Sequence, residues 1–160
     1  MARHGHSITC LKDKFLVVTG SRIETEEADK SHEHYNIDLD LWFSQPPLNF
    51  GRYYHSSCTL QDRWIYVFAG IQSTTKKYFN SIERFDSQAK NAEKTWNVID
   101  IPIDTFPARQ GVGSAQISNN EILVFGGFGG EYLKDCYVFK HNEGVMLKSD
   151  KEPPIKVFAF

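Results

Sequence analysis

Ile122-Leu123-Val124-Phe125-Gly126-Gly127 is an apolar, strand-forming run that ends on two glycines. Two earlier stretches match it: Phe15-Leu16-Val17-Val18-Thr19-Gly20 and Trp64-Ile65-Tyr66-Val67-Phe68-Ala69-Gly70. Gly20, Gly70 and Gly127 lie 50 and 57 residues apart. Upstream, Arg3, Arg52 and Arg109 are spaced by 49 and 57, and Ser7, Ser56 and Ser114 by 49 and 58. Landmarks that recur in one order at one period of about 50 residues mark an internal repeat.

Each repeat reads as four strands. Mixed polar and apolar segments follow the arginines: Gly5–Leu11, Tyr54–Leu60 and Val112–Ile117. The nearly continuous apolar runs come next and suit a central strand covered on both faces. Turn residues part the two: Lys12-Asp13-Lys14, Gln61-Asp62-Arg63 and Asn119-Asn120-Glu121. A third strand is expected near Tyr35, Phe85 and Phe139. A fourth is expected at Trp42, Trp96 and Val145-Met146-Leu147. Glycines at the ends of central strands supply positive φ or the absence of a Cβ. The tryptophans would fill the gap between packed sheets.

These residues resemble the kelch-repeat family over residues 3 to about 150. The third repeat matches best, through Gly126-Gly127 and Tyr132-Leu133-Lys134-Asp135-Cys136-Tyr137. The first two carry Thr19-Gly20 and Ala69-Gly70 where the family has a double glycine, and the third lacks the tryptophan. The resemblance implies an all-β chain of three four-stranded antiparallel blades of a β-propeller, with the first strand of each blade innermost. Blade 1 is expected over residues 3–50, blade 2 over 51–106 and blade 3 over 107–150. Residues 151–160 would be a linker or the start of a further blade.

Bulk properties narrow the function. Aromatics reach 14% of 160 residues, which argues against disorder. A net charge of −2 gives no electrostatic case for nucleic acid or an anionic membrane. The apolar runs are too short to span a bilayer as helices. Three cysteines, Cys10, Cys58 and Cys136, cannot all pair within one chain. Free thiols suit a reducing compartment and a cytoplasmic location.

Propellers usually close with about four to eight blades. Three blades would form half of a six-bladed ring. The chain is therefore expected to be part of a longer polypeptide, to pair with a second copy or another chain, or to stand open against a partner. Glu152-Pro153-Pro154-Ile155 echoes Gln45-Pro46-Pro47-Leu48, which leads into the second repeat.

Strand alternation puts Arg3, Arg52 and Arg109 at the same end as the second-to-third loops. With the first strand innermost, they would ring the mouth of the channel. There they could hold a carboxylate or phosphate, with a peptide bearing Asp or Glu as the expected ligand and Ser7, Ser56 and Ser114 beside them. The alternative is that each arginine pairs with the backbone or an acid of a neighbouring blade. Ser21–His34 reads as a long acidic loop suited to a partner. The loop Lys76-Lys77-Tyr78-Phe79 could also contact a protein.

His4-x-His6 and His32-x-His34 each share a strand face, but no spacing completes a metal site. Gly126–Gly130 lacks the order of a phosphate loop. No catalytic motif stands out, and no cofactor is expected. The expected role is a protein-interaction module or scaffold. The alternative is a fragment of a propeller enzyme, an oxidase or a sugar-handling protein, with its active site elsewhere.

Overall fold

The computed structural model describes residues 2–22, 28–72 and 75–151. Within them stand three four-stranded antiparallel sheets. The first contains β1 (Ser7–Leu11), β2 (Phe15–Arg22), β3 (Ala28–Asn36) and β4 (Leu41–Ser44). The second contains β5 (Ser56–Leu60), β6 (Trp64–Phe68), β7 (Ile82–Asp86) and β8 (Trp96–Ile99). The third contains β9 (Gly113–Gln116), β10 (Glu121–Phe125), β11 (Cys136–Lys140) and β12 (Val145–Lys148). Every sheet is a meander in sequence order. The one helical element among the described residues is a single 3-10 turn, Asn91–Glu93.

Local chemistry sets the first two hairpins. Lys12 and Asp13 take φ of 58° and 49°, and Gln61 and Asp62 take 57° and 50°. Two successive left-handed residues define the turn whose twist matches that of paired strands. The third hairpin has a longer connection, Ile117–Asn120, in which Ser118 Oγ accepts from Asn120 N and donates to Glu121 Oε2.

Two apolar clusters join the blades. Leu11, Val17 and Leu48 of blade 1 pack on Ile65, Val67, Phe85 and Trp96 of blade 2. Leu60, Tyr66, Phe68 and Phe106 of blade 2 pack on Ile122, Val124, Phe139 and Met146 of blade 3. β6, flanked by a blade on each side, is buried on both faces as its unbroken apolar run requires, whereas β10 buries Ile122 and Val124 on one face and leaves Leu123 and Phe125 partly exposed on the other.

Two expectations change. Ser21–His34 is mostly strand rather than loop. β2 runs to Arg22 and β3 begins at Ala28. Alternation decides this: His32 and His34 point inward while their neighbours face out. Glu24, Glu26 and Glu27 lie outside the described residues, as does 152–160 with its echo of the earlier Pro-Pro segment.

The glycine alignment also shifts by one. Gly20, Ala69 and Gly126 are equivalent, with φ of 52°, 60° and 68°. Gly70 and Gly127 follow with φ of 101° and 97°, and their counterpart in blade 1 is Ser21. An alanine fills one left-handed position, so the sequence landmark marked the turn but not its register.

Candidate functional site: the groove across the inner strands

The three arginines share one arrangement. Each reaches the third strand of its own blade. Arg3 Nη1 donates to Ser31 Oγ at 3.3 Å and pairs with Glu33 at 2.7 Å. Arg52 donates through Nη2 to Ser81 Oγ at 3.2 Å and to Glu83 Oε1 at 2.8 Å. Arg109 Nη1 bonds Asp135 Oδ1 at 2.6 Å, and Nη2 reaches the Tyr137 hydroxyl at 3.3 Å. Arg52 also donates to Ala69 O at 2.7 Å, and Arg109 to the equivalent Gly126 O at 3.2 Å. Ring faces complete the cage: Phe79 lies 4.6 Å from the Arg52 guanidinium and Phe106 4.9 Å from that of Arg109.

Arg52 and Arg109 are 0% and 1% exposed, so the expected ring of three free guanidiniums is corrected. Their charges are consumed inside the blades by carboxylates and carbonyls. A ligand carboxylate would have to displace a buried acid, which costs several kcal/mol on the order of 3–5. Arg3 alone keeps an appreciable exposed fraction, 27% of its side chain. The acids that hold the arginines lie 30, 31 and 26 residues downstream, a recurrence present in the sequence. Sequence reasoning missed it because Asp135 sits two residues earlier on its strand than Glu83 does.

The serines behave differently. Ser7, Ser56 and Ser114 line a groove of about 610 Å³ that crosses the starts of β1, β5 and β9. Ser7 Oγ meets Ser57 Oγ at 2.7 Å, and Ser56 Oγ meets Ser114 Oγ at 2.7 Å. Register makes Ser7 and Ser56 equivalent, facing Thr19 and Phe68. Ser57 and Ser114, facing Val67 and Val124, are equivalent in turn. One hydroxyl pair therefore repeats at each blade junction. A backbone chain runs beside it: Tyr54 N donates to Gly5 O at 2.8 Å and Gly111 N to Tyr54 O at 2.7 Å.

Gly5, Tyr54 and Gly111 are equivalent and left-handed, with φ of 65°, 52° and 64°. Two are glycine, as that conformation favours. Tyr54 is the exception, and its ring stands at the groove, 4.9 Å from that of Tyr53. Among the described residues, His6 and His55 each leave a buried Nδ1 unpartnered on the same wall. Burial pushes His55 down to about 3 and also lowers His6, so both imidazoles are neutral at neutral pH. His55 Nε2 lies 2.9 Å from Thr19 Oγ1, across the junction.

The structural tryptophans divide. Trp96 is buried, and its Nε1–H donates to Pro46 O of blade 1 at 3.1 Å. Trp42, its counterpart by register, is 59% exposed on the outer side of blade 1. Close approach explains the glycines of the blade: a Cβ on Gly20 would sit 2.3 Å from Arg52 O, and one on Gly127 2.6 Å from Gln110 O. Gly70 lies similarly against His55.

His32 and His34 share a 2.9 Å Nε2 to Nε2 hydrogen bond inside the junction of blades 1 and 2. Among the described residues no group of three or more His, Cys, Asp or Glu is placed to hold a metal ion. Cys10, Cys58 and Cys136 are free thiols. No helix among the described residues is long and apolar enough to cross a membrane.

This architecture, three antiparallel meanders joined around a line of inner strands, defines a partial β-propeller. A family model described as the KLHDC2/KLHL20/DRC7 Kelch-repeats domain matches residues 1–151, and the chain belongs to the kelch-repeat family. Comparison with curated proteins yields no match.

Proposed function

We propose that this chain is a protein-interaction module that holds a partner segment in the groove across its inner strands. The observation that carries the reading is Tyr54. A bulky non-glycine residue in the left-handed region costs roughly 1–2 kcal/mol relative to glycine. The equivalent positions in the other blades are glycine, so the strained tyrosine earns its place through what its ring touches at the groove. Around it lie paired serine hydroxyls and two neutral imidazoles whose buried Nδ1 atoms have no partner among the described residues.

Such a lining suits backbone and polar side chains of a peptide. Tyr54 would supply the rigid aromatic anchor that interfaces favour. Of the three arginines, only Arg3 remains for an acidic residue of the partner. The three free thiols support a role for this module in a reducing compartment such as the cytoplasm.

A peptide-display selection against the purified chain tests this. Enriched peptides should compete with one another and protect the amides of Tyr54–Ser57 from hydrogen exchange. Peptides that protect only the outer strands would refute the assignment of the groove.

A further inference from the structure

Every junction in the array joins a forward face of one blade to a rear face of the next. On the forward faces Leu11 and Leu60 are 2% and 0% exposed; their counterpart in blade 3, Ile117, is 51% exposed. On the rear faces Trp96 and Met146 are 5% and 2% exposed; their counterpart in blade 1, Trp42, is 59% exposed. The forward face of blade 3 holds an apolar trough of about 520 Å³ lined by Ile117, Leu123, Phe125, Cys136 and Val138. Leu60, Tyr66 and Phe68 fill the matching positions in blade 2, and there blade 3 covers them. Both outer faces are therefore built as junction faces.

The hydroxyl chain indicates what covers them. At both inner junctions a serine meets a serine. The next forward position in that chain is Gly113, facing Phe125, and the rear position of blade 1 is Ile8, facing Val18. The hydroxyl is absent from both at once. A lone serine on either side would leave a hydroxyl against an apolar partner, whereas glycine against isoleucine leaves none. The two outer faces are matched to each other.

Trp42 also has an acceptor waiting. Trp96 donates to Pro46 O, one residue past Gln45, whose N–H bonds His32 O. In blade 3 Ser149 N makes the corresponding bond to Cys136 O, so the carbonyl of Asp150 stands where that of Pro46 does.

We infer that the forward face of blade 3 docks on the rear face of blade 1 of a second copy, and that two such contacts close a ring. Trp42 of each copy covers the trough beside Ile117 of the other and donates to Asp150 O. The ring then holds six blades, inside the range of about four to eight at which propellers close. Two-fold symmetry makes the contacts identical. The inference is independent of whether the groove binds a partner.

Sedimentation of the full chain over a range of concentrations tests it, with circular dichroism to confirm the fold. The wild type is expected as a particle of two chains. Trp42→Glu and Ile117→Glu should each give monomers, because each spoils both contacts. Mixed together they should recover a two-chain particle, since one Ile117–Trp42 contact between unlike chains stays intact. A monomeric wild type, a two-chain particle that survives both substitutions, or an open-ended polymer would overturn the inference.

Discussion

Glu83 Oε1 accepts a 2.8 Å hydrogen bond from Arg52 Nη2, and neither side chain has exposed surface. Glu83 also accepts from the backbone N–H groups of Asn49 at 2.7 Å and Phe50 at 3.2 Å. One carboxylate therefore fixes both the arginine and the segment that leads from blade 1 into blade 2. Glu83→Gln should cost about 3–5 kcal/mol, because it leaves a buried guanidinium without its counter-charge. Urea unfolding measures the loss, and a cost below about 1 kcal/mol would show the pair to be dispensable.

Gly20 and Gly144 separate backbone strain from close approach. Both have positive φ, 52° and 66°, but a Cβ at Gly144 meets nothing within 4 Å, whereas one at Gly20 meets Arg52 O at 2.3 Å. Gly144→Ala should cost about 1–2 kcal/mol for the left-handed backbone alone. Gly20→Ala should cost at least about 1 kcal/mol more, because the junction of blades 1 and 2 must open. Equal losses by thermal melting would contradict the tight junction.

Acid should weaken the fold before any carboxylate titrates. Burial drives His32 and His55 down to about 3 and His34 to about 4. The unfolded chain takes up these protons near pH 6.5 and the folded chain does not. Stability is therefore full above about pH 6.5 and falls as the pH drops toward the folded values. Each histidine contributes up to about 1.4 kcal/mol per pH unit. Urea midpoints at pH 7.5 and 5.0 should differ clearly, and His55→Gln should narrow the gap. A midpoint unchanged between those pH values would contradict the burial of these imidazoles.

The legible part of the fold was what repetition could carry. Ile122–Gly127 and its two copies announced the central strands, and the turn residues around Asp13 and Asp62 placed the hairpins. Side-chain partnership was harder to read. Arg52 and Arg109 recur like binding residues and also like structural ones, and only three-dimensional pairing with Glu83 and Asp135 separates the two. The acids recur at unequal offsets, because Arg109 reaches a position two residues earlier on its strand than Glu83 occupies. Ser21–His34 misled because its charged letters hid a strand whose inward positions are the polar His32 and His34. Ser7, Ser56 and Ser114 do line the groove, but the repeated bond runs from Ser7 to Ser57, a neighbour that sequence alignment did not select. Tyr54 stands two residues after Arg52, where Gly5 and Gly111 follow Arg3 and Arg109, so the column held a signal that reading the tyrosine by itself could not give.

The account turns on Tyr54 as a strained residue kept for its ring. Titration of a display-selected peptide into wild type, Tyr54→Gly and Lys14→Ala compares the groove with the exposed turn at the opposite end of the blade. Glycine relieves the backbone, so Tyr54→Gly should stay within about 1 kcal/mol of wild-type stability while peptide affinity falls at least about tenfold, and Lys14→Ala should bind as wild type does. Undiminished affinity in a folded Tyr54→Gly chain would contradict the groove as the binding site.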